Sequence, residues 1–568
     1  MSLFLNQVEG LQLQLKAIAG LDTILAAGKF AHIDKEMIDM MLDQSIRFAE
    51  EKLAPLAAAG DIAGCRLENG RVHLPPGTRD VYQEWCELGF PTLALPLDMD
   101  GLEFPNVVQS AVQEILDGAN LAFGMMGINL RCAVRALLAN APPELVQQWV
   151  PGLISGEISS TIVISEPQAG SDVGRIRTSA IPGEDGLWTL NGSKIWISYA
   201  DHDATGQIVH LVLARVPSDE IGTRALGLFA VPRTREDGSV NGLNVSRLEH
   251  KMGLHASPTC VLELDNARGH LIGEAGRGLQ ALFVMMNGMR LAVGVQGAAV
   301  ANVATLHALA YAKERPQGGR PDAPAIMISE HADVKRMLLE MTATSEMIRA
   351  LALKTAALLD RADISEGDEA AGYLKLGELL LPLAKTLGAE SAFHVASQGI
   401  QVLGGYGYTN DYPIERMARD IRVASIYEGT SGIQALDFVK RKVVGDQGAT
   451  LAALLDMIRS DLRNTADGNP LKAGVTACTD IVAGTLDTLL GKAAGNPASV
   501  EPGAYHFLTL NGLLVMHWLG MQLYAAAGEA TPYQQRLREA LSLAATGLAE
   551  AAASLARRAL QPGTDLRL

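Results

Sequence analysis

A chain of 568 residues, 48% hydrophobic and 19% charged, is too long for one core and too apolar for disorder, so about three or four domains are expected. A formal net charge of −16 with no Lys/Arg stripe argues against a nucleic-acid partner. Five scattered cysteines (Cys65, Cys86, Cys132, Cys260 and Cys478) form no CxxC pair or metal-like cluster, which fits reduced thiols, a cytoplasmic protein and no metal site.

The opening segment MSLFLNQVEGLQLQLKAIAGL lacks the basic and apolar regions of a signal peptide. Residues 1–158 read as helical. IDKEMIDMMLDQSIRFAEEKLAPLA repeats apolar residues at three- and four-residue spacing, and PELVQQWVPGLISG closes the region near Gly156. Between 159 and 275 come short β-rich runs: STIVIS, WTLNGSKIWIS, QIVHLVLARV, LGLFAVP and TCVLELDN. Turn-formers such as PGEDG and REDGSVNG separate them. They predict an antiparallel barrel or sandwich, with Asn191-Gly192 as a hairpin signal.

Residues 276–445 predict a helical bundle. Leu279, Leu282, Phe283, Met286, Met289 and Val293 share a face of its first helix, which runs to about Arg315. Gly294, Gly297, Ala298 and Ala301 leave room for a neighbouring helix. PQGGRPDAP is a loop, long helices cover about 329–361 and 368–400, and another begins near Thr430. Residues 446–568 predict an Ala/Leu-rich helical extension. Its most apolar stretch, Phe507 to Ala527, carries Asn511, His517 and Gln522, so it reads as a buried helix and no membrane span is expected. The fold class is mainly α with a middle β-domain, its elements segregated rather than alternating. No G-x-G-x-x-G joins a strand to a helix, so a Rossmann reading fails.

Three segments carry chemistry. In TIVISEPQAGSDVG, 161–174, a β-run enters a loop of small residues with the hydroxyls of Ser165 and Ser171. Such a loop suits a flat polar ring or a phosphate, and equally an ordinary turn. In NGSKIWISYA, 191–200, alternation places Trp196 and Ser198 on one strand face, as a ring-binding wall or simply as core. In QVLGGYGYTNDYPIERMARDIRVASIYEGTSGIQ, 401–434, Glu428 precedes a helix whose N-cap is Thr430 or Ser431. Partial desolvation there would make it a usable base near neutral pH, although dipole complementation alone can place a Glu before a helix.

With SEPQAGSD, NGSKIWIS, GGYGYTNDYPIERMARD and IYEGTSGIQ in this order, the chain resembles the acyl-CoA dehydrogenase family over roughly residues 35–445. The resemblance implies an N-terminal helical domain, a middle β-domain and a C-terminal four-helix bundle, here with an added helical extension. It implies FAD as cofactor and α,β-dehydrogenation of an acyl-CoA to the trans-2-enoyl-CoA, as in β-oxidation of fatty acids. Glu428 falls on the family's catalytic base. Ile162, Ser165 and Gly170 fall on flavin contacts, and Ser171 on a contact to the FAD pyrophosphate near the substrate. Trp196 flanks the isoalloxazine, and Ser198 replaces a Thr that bonds flavin N5. Arg315 matches the Arg that reaches the FAD of a neighbouring subunit, with Gln401, Gly404 and Gly405 on its adenosine and pyrophosphate contacts and Thr430 on a further one. Asn287 and Arg290 fall where CoA is held, beside Ser171 and Gly429. Arg290 interrupts an apolar helix face, so an anionic partner is expected.

The chain departs from the family pattern at Gly318, usually aromatic, and at Gly432, often Gln. A homodimer and an electron-transfer flavoprotein as acceptor are implied. An acyl-CoA oxidase, which shares the core and also carries extensions, is the alternative. The extension and the form ERPQGGR resemble an extended bacterial subgroup that includes 3-methylmercaptopropionyl-CoA dehydrogenase.

Overall fold

A computed structural model describes residues 5–561; residues 1–4 and 562–568, at the outer ends of the first and last predicted segments, lie outside the described residues. The chain forms two compact units: one comprises residues 1–46, 105–118 and 290–568, the other 47–104 and 119–289. This division cuts across the linear order of segments, because the predicted N-terminal helical region contributes to both units.

In the second unit, β1 (Arg66–Glu68) and β2 (Arg71–His73) pair antiparallel within the stretch read from sequence as wholly helical. Asn69 (φ 51°) and Gly70 (φ 75°) make the turn, both left-handed as a two-residue type I′ hairpin requires. The main sheet consists of β3 (Ile158–Val163), β4 (Ser179–Pro182), β5 (Trp188–Ser198), β6 (Gln207–Arg215), β7 (Leu226–Pro232), β8 (Leu243–Leu248) and β9 (Thr259–Ile272). Its order is β3-β6-β4-β5-β9-β7, with β8 beside β9, and a β6–β7 pairing closes the path into a barrel-like ring. Val163, Leu190, Val212, Phe229 and Leu262 fill its core.

Two expectations need correction. The sheet is mixed, because β6 runs parallel to both β3 and β4. Alternation reveals which face of a strand is buried but not the direction of its partner. Asn191-Gly192 is not a hairpin turn but lies inside β5, at a register shift against β9. There Asn191 Oδ1 accepts from Asn266 N at 2.9 Å. The turn before β5 is closed instead by Gly183 N donating to Leu187 O at 2.7 Å.

The other unit is built on three long helices: Gly278–Glu314, whose first turns belong to the second unit, Ala332–Ile364 and Gly367–Leu403. The first and third meet at glycine. A Cβ on Gly297 would fall 2.2 Å from Gly388 O, and one on Gly388 would fall 2.9 Å from Gly294 O. Side chains there would force the two backbones apart, so the small residues set the spacing of the helices that carry Arg290 and Lys385. Buried polar links draw in the distant pieces of chain. Arg349 donates to Glu114 at 2.6 Å and to Glu346 at 2.8 Å, and Gln14 donates to Glu346 at 2.6 Å. Asp360 accepts from Asn106 N at 2.7 Å and Val107 N at 2.9 Å, satisfying donors at the start of helix Asn106–Ala119.

The extension folds back onto the bundle of its own chain. Helix Ala504–Ala526 packs on the second and third bundle helices, and Pro532–Ala544 packs on the second. Two of its polar interruptions find partners inside: His517 lies between Leu513 O at 2.8 Å and Ala544 O at 3.2 Å, and Gln522 donates to Asp461 at 2.6 Å. Among the described residues, three other helices, Leu121–Asn140, Gly278–Glu314 and Lys472–Gly495, are long and apolar enough to cross a membrane by length and composition. The apolar windows of the first two are 78% and 89% buried within the protein.

Candidate active site

Glu428 lies in the segment between a 3-10 turn, Arg422–Ser425, and a short helix, Ser431–Leu436, which continues into a π-helix, Asp437–Val443. Its backbone is left-handed at φ 53°, which a non-glycine residue adopts at a cost of about 1–3 kcal/mol and keeps only where its surroundings enforce it. Here the enforcement is visible on each side. The Tyr427 hydroxyl donates to Gln296. Gln434 Nε2 donates to Glu428 O at 2.9 Å, and Lys385 Nζ donates to Gly429 O at 2.6 Å. Thr430, rather than Ser431, is the N-cap, accepting from Ile433 N at 3.3 Å.

The loop's bonds run to its backbone and leave the carboxyl of Glu428 without a hydrogen bond among the described residues. Burial therefore dominates and pushes its pKa up to about 7, against the pull of Lys385 and Arg290. Burial also lowers Lys385 to about 8, although Glu428 opposes that shift. Arg290 has the anionic partner that its place in an apolar helix demanded: Asp437 Oδ2, 2.7 Å from Nη1, both side chains buried. Glu428, Arg290, Gly429 and Thr430 are thus brought together. Asn287, half-buried, lies one turn earlier on the Arg290 helix, within the second unit.

A second cluster, in the unit that holds Glu428, gathers around Tyr406. Arg315 lies over the Tyr406 ring at 5.7 Å, and Tyr311 and Tyr412 pack edge-on to each other at 5.5 Å beside it. Gln401, Gly404 and Gly405 are exposed, and a Cβ on either glycine would meet nothing within 4 Å. Tyr408 is 87% exposed at the end of the same turn.

In the β-domain, Ile195 N donates to Ser165 O at 2.9 Å, tying the loop after β3 to the strand that carries Trp196 and Ser198. A register shift between Lys194 and Ile197, with Trp196 at φ 63°, breaks the alternation assumed from sequence. It leaves the Trp196 ring 58% exposed while Lys194 and Ile197 turn inward. Lys194 donates to Ile164 O at 2.8 Å, Leu213 O at 2.8 Å and Glu166 Oε1 at 2.9 Å. Glu166 also accepts from Arg177 N at 2.7 Å and Thr178 N at 3.0 Å. This buried pair pins the loop on which Ser165, Gly170 and Ser171 lie; Ser165 and Ile162 are half-buried, Gly170 and Ser171 exposed. An open indole beside hydroxyls and a glycine-rich loop is the donor set that a flat, polar ring such as FAD's flavin fits.

Sequence reasoning missed Lys385 and the Lys194–Glu166 pair. The signal for Lys385 was the one that drew attention to Arg290: a lone cation in an apolar helical run, LLLPLAKTLGAES. Lys194 was hidden because strict alternation placed it on the face of Trp196.

Models of the acyl-CoA dehydrogenase N-terminal, middle and C-terminal domains match residues 35–157, 161–267 and 276–443. The chain is 39% identical over 518 residues to the 3-methylmercaptopropionyl-CoA dehydrogenase of Ruegeria pomeroyi, covering 88% of this chain and 87% of that one. It is 34% identical over 561 residues to a broad-specificity linear acyl-CoA dehydrogenase of Mycobacterium tuberculosis, covering 93% and 91%. An acyl-CoA dehydrogenase from Bacillus anthracis, solved in complex with FAD, superposes with a TM-score of 0.76 at 22% identity over 95% of this chain and 91% of that one, a likeness of fold that includes the extension. The chain therefore belongs to the acyl-CoA dehydrogenase family of FAD-dependent oxidoreductases.

Proposed function

We propose that this chain converts an acyl-CoA to its trans-2-enoyl-CoA with Glu428 as the base that removes the α-proton. The observation that carries this reading is the carboxyl of Glu428: held in a left-handed loop, given no hydrogen bond among the described residues, and pushed up to about 7, where it both ionises and accepts a proton at neutral pH. The α C–H electron pair becomes the new C=C bond as the β-hydrogen leaves with its own pair. Bound FAD supplies the acceptor for that hydride. The backbone N–H of Glu428 serves as a donor to the thioester carbonyl, which acidifies the α-carbon. In the family's pattern Trp196, Ser165 and Ser198 would orient the flavin, and Ser171, Asn287 and Gly429 would meet the substrate. Arg290, bonded to Asp437, acts on the base through its charge.

Glu428→Gln is expected to keep its FAD and bind acyl-CoA, yet bleach its flavin with substrate at least about a hundredfold more slowly. Near-normal anaerobic bleaching would remove Glu428 from the role. Linear acyl-CoAs and 3-methylmercaptopropionyl-CoA are the first substrates to compare, because the relatives' names carry them.

The electrons then pass to an electron-transfer flavoprotein, and the protein is a homodimer. The exposed Arg315–Tyr406–Tyr408 patch supports the dimer, since aromatic and arginine side chains so open to water are typical of an interface. Sedimentation equilibrium of the holoprotein tests it, and peroxide release in air compared with dye reduction tests the acceptor.

A further inference from the structure

The extension reaches the loop of the base. Tyr505, in the first turn of helix Ala504–Ala526, donates its hydroxyl to Glu390 Oε2 at 2.6 Å. Glu390 Oε1 accepts from Ser431 Oγ at 2.5 Å. Ser431 is the first residue of the helix after the loop, three positions beyond Glu428. Glu390 itself lies on the third bundle helix, five residues beyond Lys385. Two residues on from Tyr505, Phe507 packs its ring on Phe438 at 5.9 Å, both fully buried. Phe438 belongs to the π-helix whose first residue, Asp437, holds Arg290. The loop is therefore held from two directions: Lys385 holds Gly429 from the bundle, and the extension holds Ser431 and Phe438.

We propose that Tyr505, acting through Glu390 and Ser431, is a positioning residue for the catalytic loop, so that the extension is part of the machinery that aims Glu428. The inference rests on Glu428 as the base. The physical need is plain: a left-handed glutamate followed by Gly429 at φ 87° has little local preference for its conformation, so its aim depends on the hydrogen bonds just beyond it. A displacement of about 1 Å at such a group can cost on the order of a hundredfold in rate. Burial, reinforced by the bond to Glu390, raises the Tyr505 phenol to about 12, so its hydroxyl stays a donor across the working range.

The test is anaerobic flavin bleaching by substrate in the purified holoenzyme, comparing Tyr505→Phe, Ser431→Ala and the double variant. Each single change is expected to slow bleaching by about three- to tenfold, the worth of one hydrogen bond, with KM and FAD content unchanged. The double variant should be no slower than the slower single one, because both break the same relay, and Ser431→Thr should recover most of the rate. Wild-type bleaching in Tyr505→Phe, with only a lower melting temperature, would reduce the link to a staple and overturn the proposal, as would losses that multiply in the double variant. Glu428→Gln run in parallel keeps the two readings apart: normal bleaching there sinks the base, whereas a dead Glu428→Gln beside an unaffected Tyr505→Phe sinks only the relay.

Discussion

Two buried lysine–glutamate neighbourhoods in this protein use the same residue types to opposite ends. In the β-domain, Lys194 bonds directly to Glu166, and the carboxylate also collects two backbone N–H bonds; burial works against ionisation, yet these contacts win and draw its pKa down to about 2. In the bundle, Lys385 spends its bond on a backbone carbonyl, so Glu428 feels its charge without a hydrogen bond, and burial leaves the carboxyl near 7. A carboxylate wired into its partner is locked as an ion and serves structure. One left beside its partner can exchange a proton, which is what a general base must do.

The largest expected effect comes from breaking the wired pair. Lys194→Met strands Glu166, whose side chain is 3% exposed, and should lower stability by about 3–5 kcal/mol, seen as a fall in the urea midpoint. A loss confined to turnover, with the midpoint unchanged, would mean that this pair is not structural. In the bundle the corresponding change should act on pH dependence instead. With Glu428 as the proposed base, the rate should climb as pH rises through about 7. Lys385→Met removes a charge that favours the ionised form. The climb should then move alkaline by about one unit, costing roughly fivefold at pH 7 and recovering toward pH 9. A uniform loss at every pH would instead show that the bond to Gly429, not the charge, is what matters.

A further effect concerns stability at the base itself. A carboxyl near 7 in the folded state and about 4.3 unfolded costs stability once pH exceeds the unfolded value, with the full cost reached above about pH 7. Glu428→Gln should therefore be more stable than the native protein at pH 8 by roughly 1–3 kcal/mol, with the difference gone near pH 4. Thermal melts at the two pH values measure it.

Much of the site was legible in the sequence because its parts are local. IYEGT carries a carboxylate, a glycine and a cap in consecutive positions, and Thr430 is that cap. The glycines at 294 and 297 announced a close helix crossing, and the structure puts Gly388 there. What failed were inferences about partners. Two Asn-Gly pairs offer the same turn signal: Asn69-Gly70 turns a hairpin, while Asn191-Gly192 sits inside β5, where Asn266 engages the asparagine side chain. The dipeptide is permissive of either, and the strand beside it decides.

By itself, the sequence determined most of the helical and strand stretches, the family, and a candidate for the base, since periodicity and short motifs are written in neighbouring residues. The tertiary structure alone decided the mixed direction of the sheet, the division of the N-terminal region between two units, the placing of Lys385 beside Glu428 rather than bonded to it, and the contact of Tyr505 with Glu390. Each of these joins groups far apart in the chain, and the free energy that brings them together comes from packing across elements, which no local pattern records.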